Sequence, residues 1–210
     1  MNATALARRT AAVVAIGAVG LLTFTGTATA APQPAETPSS NGIAHLRDLA
    51  GDHRPEKAAV NLLSRSPLVV KGIADGVDAA SGFGTFAYAS PTIGCGPNLP
   101  ITLTAASTST GPAVALTDGE LRFQAAPRYS GVAVGSGLTA VWLNTTTGAS
   151  GITPIDGVTE FGTPSLSKVV ATGPGQVAAT LFGTVNYPDA TCIVLPTVGL
   201  FTVQPPAPQR

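Results

Sequence analysis

Beyond residue 82 the chain never runs more than about ten residues without a Gly, Pro, Asn or Asp. Such punctuation leaves room for short strands and excludes the uninterrupted amphipathic stretches that a helical domain needs. Apolar residues alternate in Leu121-x-Phe123 and Leu138-x-Ala140-x-Trp142, which sends Trp142 to a buried face. Strands are predicted over 85–89, 101–105, 113–117, 121–125, 138–144, 168–172, 177–185, 191–195 and 200–203. Two turn signals predict hairpins: Asp118-Gly119 between 113–117 and 121–125, and Gly173-Pro174-Gly175 between 168–172 and 177–185. Strands at this spacing with no long helix between them predict a mainly β domain over 82–204, an antiparallel β-sandwich of immunoglobulin-like type.

The chain ahead of that domain reads differently. Arg8 and Arg9, the apolar run 11–22 and the small-residue triplet Ala28-Thr29-Ala30 make residues 1–30 a secretory signal peptide cut after Ala30. Twelve apolar residues are too few to span a bilayer, which takes about 20. Residues 31–42, rich in Pro and Ser, read as a flexible linker. Residues 43–80 form a charged helical segment carrying Arg47, Asp48, Asp52, Arg54, Glu56, Lys57 and Arg65. Within it Pro55 suits a first helical turn, and Ala58, Ala59, Leu62 and Leu63 share a face, so a helix is expected over 55–64, ending before Ser66-Pro67. Residues 205–210 are a Pro-rich tail.

Removal of the signal leaves nine basic and eleven acidic residues, a net charge of −2. That balance argues against nucleic acid as a partner. No second apolar run in the mature chain is long enough to span a membrane. Cys95 and Cys192, the only cysteines, read as a disulfide in an oxidising compartment. Phe83-Gly84-Thr85 recurs as Phe182-Gly183-Thr184, each ahead of a cysteine, either by chance or as equivalent elements.

Catalytic chemistry is sparse. The only histidines, His45 and His53, lie outside the β domain, and there is no Gly-x-Ser-x-Gly elbow and no phosphate-binding glycine loop. No metal ligand set and no cofactor motif emerges. Asp156 and Glu160 are the pair of carboxylates that a secreted hydrolase would use. The candidate interaction residues are Arg128 and Tyr129, which follow Pro127, and the uncharged loop Asn144, Thr145, Thr146 and Thr147. Asn144-Thr145-Thr146 also fits the N-glycosylation acceptor pattern.

The signal ending Ala28-Thr29-Ala30-Ala31-Pro32 resembles those of exported actinobacterial proteins. Trp142-x-Asn144, Thr147-Gly148-x-x-Gly151, Thr172-Gly173-Pro174-Gly175 and the distant cysteine pair resemble secreted immunoglobulin-like sandwich proteins of that group. The resemblance implies a fold class and a compartment, and no site. The expectation is therefore a secreted or envelope-associated, non-catalytic β-sandwich that acts by surface interaction, its partner an envelope component or a protein. The alternative is a carrier of an apolar ligand such as an envelope lipid. A hydrolase built on Asp156 and Glu160 comes last.

Overall fold

The computed structural model describes residues 37–67, 82–96 and 100–205. The signal peptide with its cut after Ala30, residues 31–36, residues 68–80 of the charged segment and residues 206–210 of the tail lie outside the described residues.

Two helices precede the strands. Helix α1 spans Pro38–Ala50 and α2 spans Arg54–Arg65. The second matches the expected 55–64. The first corrects the linker: residues 38–42 are helical. Thr37 caps the helix, its side chain accepting from Ser40 N at 3.3 Å, and Pro38 supplies a fixed φ in the first turn. Ile43, Leu46 and Ala50 of α1 and Ala59, Val60 and Leu63 of α2 form one buried face. They lie on Val141, Leu143, Ala178 and Phe182 of the sheet, so the charged segment packs on the β domain here and does not project from it. Gly42 is required at the contact, because a Cβ there would run into Leu143 Cδ1 and stand 2.8 Å from the backbone oxygen of Gly148.

The strands are β1 (Phe83–Thr85), β2 (Ser90–Ile93), β3 (Ile101–Thr110), β4 (Glu120–Pro127), β5 (Gly135–Ser136), β6 (Thr139–Asn144), β7 (Ser150–Pro154), β8 (Ser167–Ala171), β9 (Gly175–Asn186) and β10 (Thr191–Val203). All pairings between them are antiparallel, on the path β7-β6-β9-β10-β2-β3-β4-β8, with β1 added to β3 and β5 to β9. The expected mainly β, antiparallel character holds. One sheet, nearly closed like a barrel, takes the place of two separate sheets.

Alternation explains why β6 and β9 are apolar on both sides. Ala140 and Trp142 of β6 and Val177, Ala179 and Leu181 of β9 face the barrel interior, while Val141, Leu143, Ala178 and Phe182 face the helices. The interior is filled by Phe123, Trp142, Leu181 and Phe201 with smaller neighbours. Trp142 lies over Gly151 and donates from Nε1 to Thr153 Oγ1 at 3.1 Å. Phe86 and Phe201 meet edge to face at 5.0 Å.

Both expected hairpins are corrected. Residues 113–117 are not a strand: Pro112–Val114 is a single 3-10 turn and Ala115 is left-handed, with φ 55°. Asp118-Gly119 does turn the chain, Glu120 N donating to Thr117 O, but the turn leads from an irregular segment into β4. Gly173-Pro174-Gly175 leaves β8 at one edge of the path and enters β9 in its middle, so β8 pairs with β4 and not with β9. The expected strands 191–195 and 200–203 are one strand, β10, bulged between Val194 and Thr197. The bulge accommodates Pro196, which has no N–H for the ladder. Its carbonyls find side chains: Ser90 Oγ donates to Leu195 O, and Tyr88 OH donates to Pro196 O at 3.0 Å. Phe83-Gly84-Thr85 and Phe182-Gly183-Thr184 are not equivalent, since the first pairs with β3 and the second sits under the helices in β9.

Candidate functional site

The registers gather several segments at one end of the barrel. The ends of β2, β4, β7 and β9 meet the starts of β3, β6, β8 and β10 there. The Cys95–Cys192 disulfide, closing 97 residues of sequence separation, staples the turn after β2 to the start of β10. This is the expected pairing, and both cysteines are buried.

This end exposes large apolar side chains. Ile93 pairs with Ile193 across β2 and β10, and with Ile101 across β2 and β3. The three form a ladder on the outer face, with Ile101 71% exposed. Leu103 and Leu195 continue it one pleat further along β3 and β10. Val132 and Val134 flank buried Ala133 and point to solvent. The connection from β7 to β8 contributes Val158 and Phe161, the latter 83% exposed. Apolar residues normally leave water on folding, and these stay in it.

Arg128 and Tyr129 sit at the same end. Tyr129 OH donates to Asp189 Oδ2 at 2.8 Å, and its ring packs on Tyr187 at 4.3 Å between centroids. The bond to Asp189, aided by burial and the carboxylate charge, raises the Tyr129 phenol above its ordinary range. Burial raises Tyr187 likewise. Arg128 is exposed, its backbone N–H held by Leu103 O at 3.0 Å and its carbonyl by Thr102 Oγ1 at 3.2 Å.

Asn144, Thr145, Thr146 and Thr147 lie at the opposite end, so the structure does not bring the two sets of candidate residues together. Asn144 is fully buried. Its Nδ2 lies 3.0 Å from the carbonyls of Thr172 and Pro174, and its Oδ1 accepts from Thr146 N and Thr147 N at 3.0 and 3.1 Å. A glycan on Nδ2 would take one of its two protons, so the bonds to Thr172 O and Pro174 O could not both be kept. Thr145 Oγ1 donates to Gln176 O and Thr146 Oγ1 accepts from Gln176 N, which ties this loop to β9. Only Thr146 and Thr147 are exposed.

Asp156 and Glu160 are both exposed, in the connection that carries Phe161. Lys168 Nζ donates to Asp156 Oδ1 at 2.8 Å, and this bond holds the Asp156 carboxyl below its ordinary range. A general acid needs the opposite shift. Glu120 is lowered as well, chiefly by the backbone N–H of Thr117 at 2.8 Å.

One contact had no signal in the sequence: His45 Nδ1 lies 3.0 Å from Ser150 Oγ, 105 residues away. Ser150 Oγ also donates to Gly42 O at 3.1 Å. A hydroxyl has one proton, so that bond leaves Oγ to accept from His45, and the trio fastens α1 to β7. A cleft of about 220 Å³ opens between α1 and α2, lined by Arg47, Ala50, Lys57, Val60 and Asn61. Lys57 is paired with Asp52 at 3.0 Å. Among the described residues no group of three or more His, Cys, Asp or Glu is placed to hold a metal ion. No described helix is long and apolar enough to cross a membrane.

No protein-family model, curated protein or solved structure matches the chain.

Proposed function

We propose that this chain is a non-catalytic protein of the extracytoplasmic space, secreted or held at the cell envelope, that works by surface interaction through the disulfide end of its barrel. The observation that carries the reading is the gathering of Ile93, Ile101, Ile193, Val132, Val134, Val158 and Phe161 in water at that end. A disulfide and the absence of a membrane-spanning helix among the described residues are compatible with the compartment. Tyr129, Asp189 and Arg128 supply polar contacts beside the apolar ones. Phe123, Trp142, Leu181 and Phe201 fill the interior, which favours contact on the outside of the barrel over a ligand carried within it.

The test is co-sedimentation of the exported protein with the cell-envelope fraction of its host. Wild type is expected in the pellet, and the Ile101→Ser/Phe161→Ser double variant is expected to be retained roughly tenfold less or worse, the effect of two apolar side chains that no longer leave water. Equal behaviour of the two proteins would overturn the reading.

A further inference from the structure

The two helices are attached to the barrel in different ways. Helix α1 is pinned to the β6–β7 hairpin by polar contacts. Ser39 Oγ donates to Thr145 O at 3.2 Å, Ser150 Oγ donates to Gly42 O at 3.1 Å, and His45 Nδ1 meets Ser150 Oγ at 3.0 Å. The backbones also approach closely, since a Cβ on Gly148 would stand 2.7 Å from Pro38 O. Helix α2 lies along β9 and has none of this. Among the described residues no hydrogen bond or ion pair joins Arg54–Arg65 to a strand; the side-chain bonds of α2, Lys57 to Asp52 and Ser64 to Asn61 O, stay within the helical pair. Only Ala59, Val60 and Leu63 hold it, in the cluster that contains Ala178 and Phe182 of β9.

The layer between α2 and β9 also strands polar atoms on both sides. Glu56 precedes Ala59 and Val60 by one turn, which puts it on the buried face of α2, and its Oε2 is shut off from water with no hydrogen-bond partner. On β9, Thr180 lies between Ala178 and Phe182 on the face turned to the helices, fully buried, its hydroxyl equally unpartnered. Two of the three such atoms among the described residues are in this one layer. A buried polar atom without a partner has lost its water and gained nothing in return, so it favours any state in which water reaches it.

The connection between the helices supplies a joint. Gly51 ends α1 in the left-handed region, with φ 46°, and Asp52 and His53 follow before α2 begins. A cleft of about 220 Å³ already parts Arg47 and Ala50 of α1 from Lys57, Val60 and Asn61 of α2.

We propose that α2 is a hinged flap. It lifts from β9 about Gly51 while α1 stays on the β6–β7 hairpin, uncovering Ala178, Thr180 and Phe182 and returning water to the Thr180 hydroxyl and the Glu56 carboxylate. The motion is independent of contact through the disulfide end. A twelve-residue helix off its support is marginal in water, so lifted α2 loses its amide protection.

The experiment is native-state amide hydrogen exchange, read residue by residue, in urea well below the unfolding transition. The amides of residues 59–63 are expected to share one opening with little urea dependence, and to exchange at least tenfold faster than those of residues 43–50 of α1 and those of β6 and β9. Thr180→Val and Glu56→Met remove the stranded groups and are each expected to slow α2 exchange about fivefold with α1 unaffected, Glu56→Met even though it gives up a carboxylate in the first helical turn. Exchange of α1, α2 and β9 through one common opening would overturn the flap. Fast exchange confined to the end amides of α2 would reduce it to fraying and overturn it too. So would Thr180→Val raising the stability to global unfolding with α2 exchange as in wild type, because α2 would then not be what covers the hydroxyl. The comparison of α2 with α1 and β9 in wild type decides the matter even if a variant fails to fold.

Discussion

Asn144 donates its side-chain amide to the carbonyl of Thr172 at 3.0 Å, joining the β6–β7 turn to the corner between β8 and β9. That corner carries the chain from the edge of the sheet to its centre, and besides Asn144 it is held by a backbone bond from Gly173 N to Gly119 O at 3.0 Å. Asn144→Ala would leave the carbonyls of Thr172 and Pro174 and the amides of Thr146 and Thr147 without their partner. The expected loss is about 2–4 kcal/mol, since stranded buried groups lose their hydration as well as the bonds. Urea denaturation measures it. Asn144→Asp keeps the acceptor and turns a carboxylate toward carbonyls, so it is expected to be no better than Ala.

Thr180 gives the opposite case. It is fully buried on β9 opposite Val141, and its hydroxyl has no hydrogen-bond partner among the described residues. Val has the same shape without the polar atom. Thr180→Val is expected to stabilise the protein by about 1 kcal/mol, read as a shift in the urea midpoint at constant slope.

The disulfide staples β2 to β10 at the end that carries Ile93 and Ile193. Closing a 97-residue separation restricts the unfolded chain by about 4–5 kcal/mol in the chain-entropy account. Cys95→Ala/Cys192→Ala is expected to lose most of that, measured by denaturation of the oxidised wild type and the variant side by side. The loss should also loosen the β2 and β10 ends that present Ile93 and Ile193, visible as faster amide exchange there.

Tyr129 sets an alkaline limit. Its folded-state pKa is raised above an unfolded value of about 10 by the bond to Asp189. A raised value means that the folded state holds the proton more tightly. The contribution is therefore complete below the unfolded value and is lost as pH rises through the folded one. Asp156 and Glu120, both lowered, act in the other direction: their contributions are present above the unfolded carboxylate values and are lost as pH falls through the folded ones. The thermal midpoint of Tyr129→Phe measured against pH is expected to show a smaller alkaline component than the wild-type profile, with the share of Tyr187 remaining, and to keep the acid one.

Alternation located strands at 101–105, 121–125, 138–144 and 177–185 because one or both faces of each are buried, whereas 168–172 is an edge strand that touches the core only through partly buried Val170. Pairing was not legible. A Gly-Pro-Gly turn announces a change of direction, but the strand that receives β8 is β4, about 45 residues back in the sequence. Helix α1 was hidden by its own start signal, since a Thr-Pro-Ser-Ser capping sequence has the composition of a linker. At the candidate site, Arg128-Tyr129 could be singled out because it follows Pro127, whereas Asp189, its partner 60 residues on, could not. The apolar ring was the least legible part. Cys192-Ile193-Val194-Leu195 is apolar throughout, which reads as a strand buried on both faces. Alternation says that Ile193 and Leu195 share a face; only the position of α1 and α2, over β6, β9 and the Leu200 end of β10, leaves that stretch of the outer face bare.

The most direct measurement is hydrogen–deuterium exchange of the protein with and without an isolated cell-envelope fraction. The account predicts slowed exchange confined to the disulfide end, in peptides covering 91–96, 128–136, 156–163 and 189–195. Slowing at the opposite end, around 144–149 and 172–176, or in α1 and α2, with the disulfide end unchanged, would contradict it.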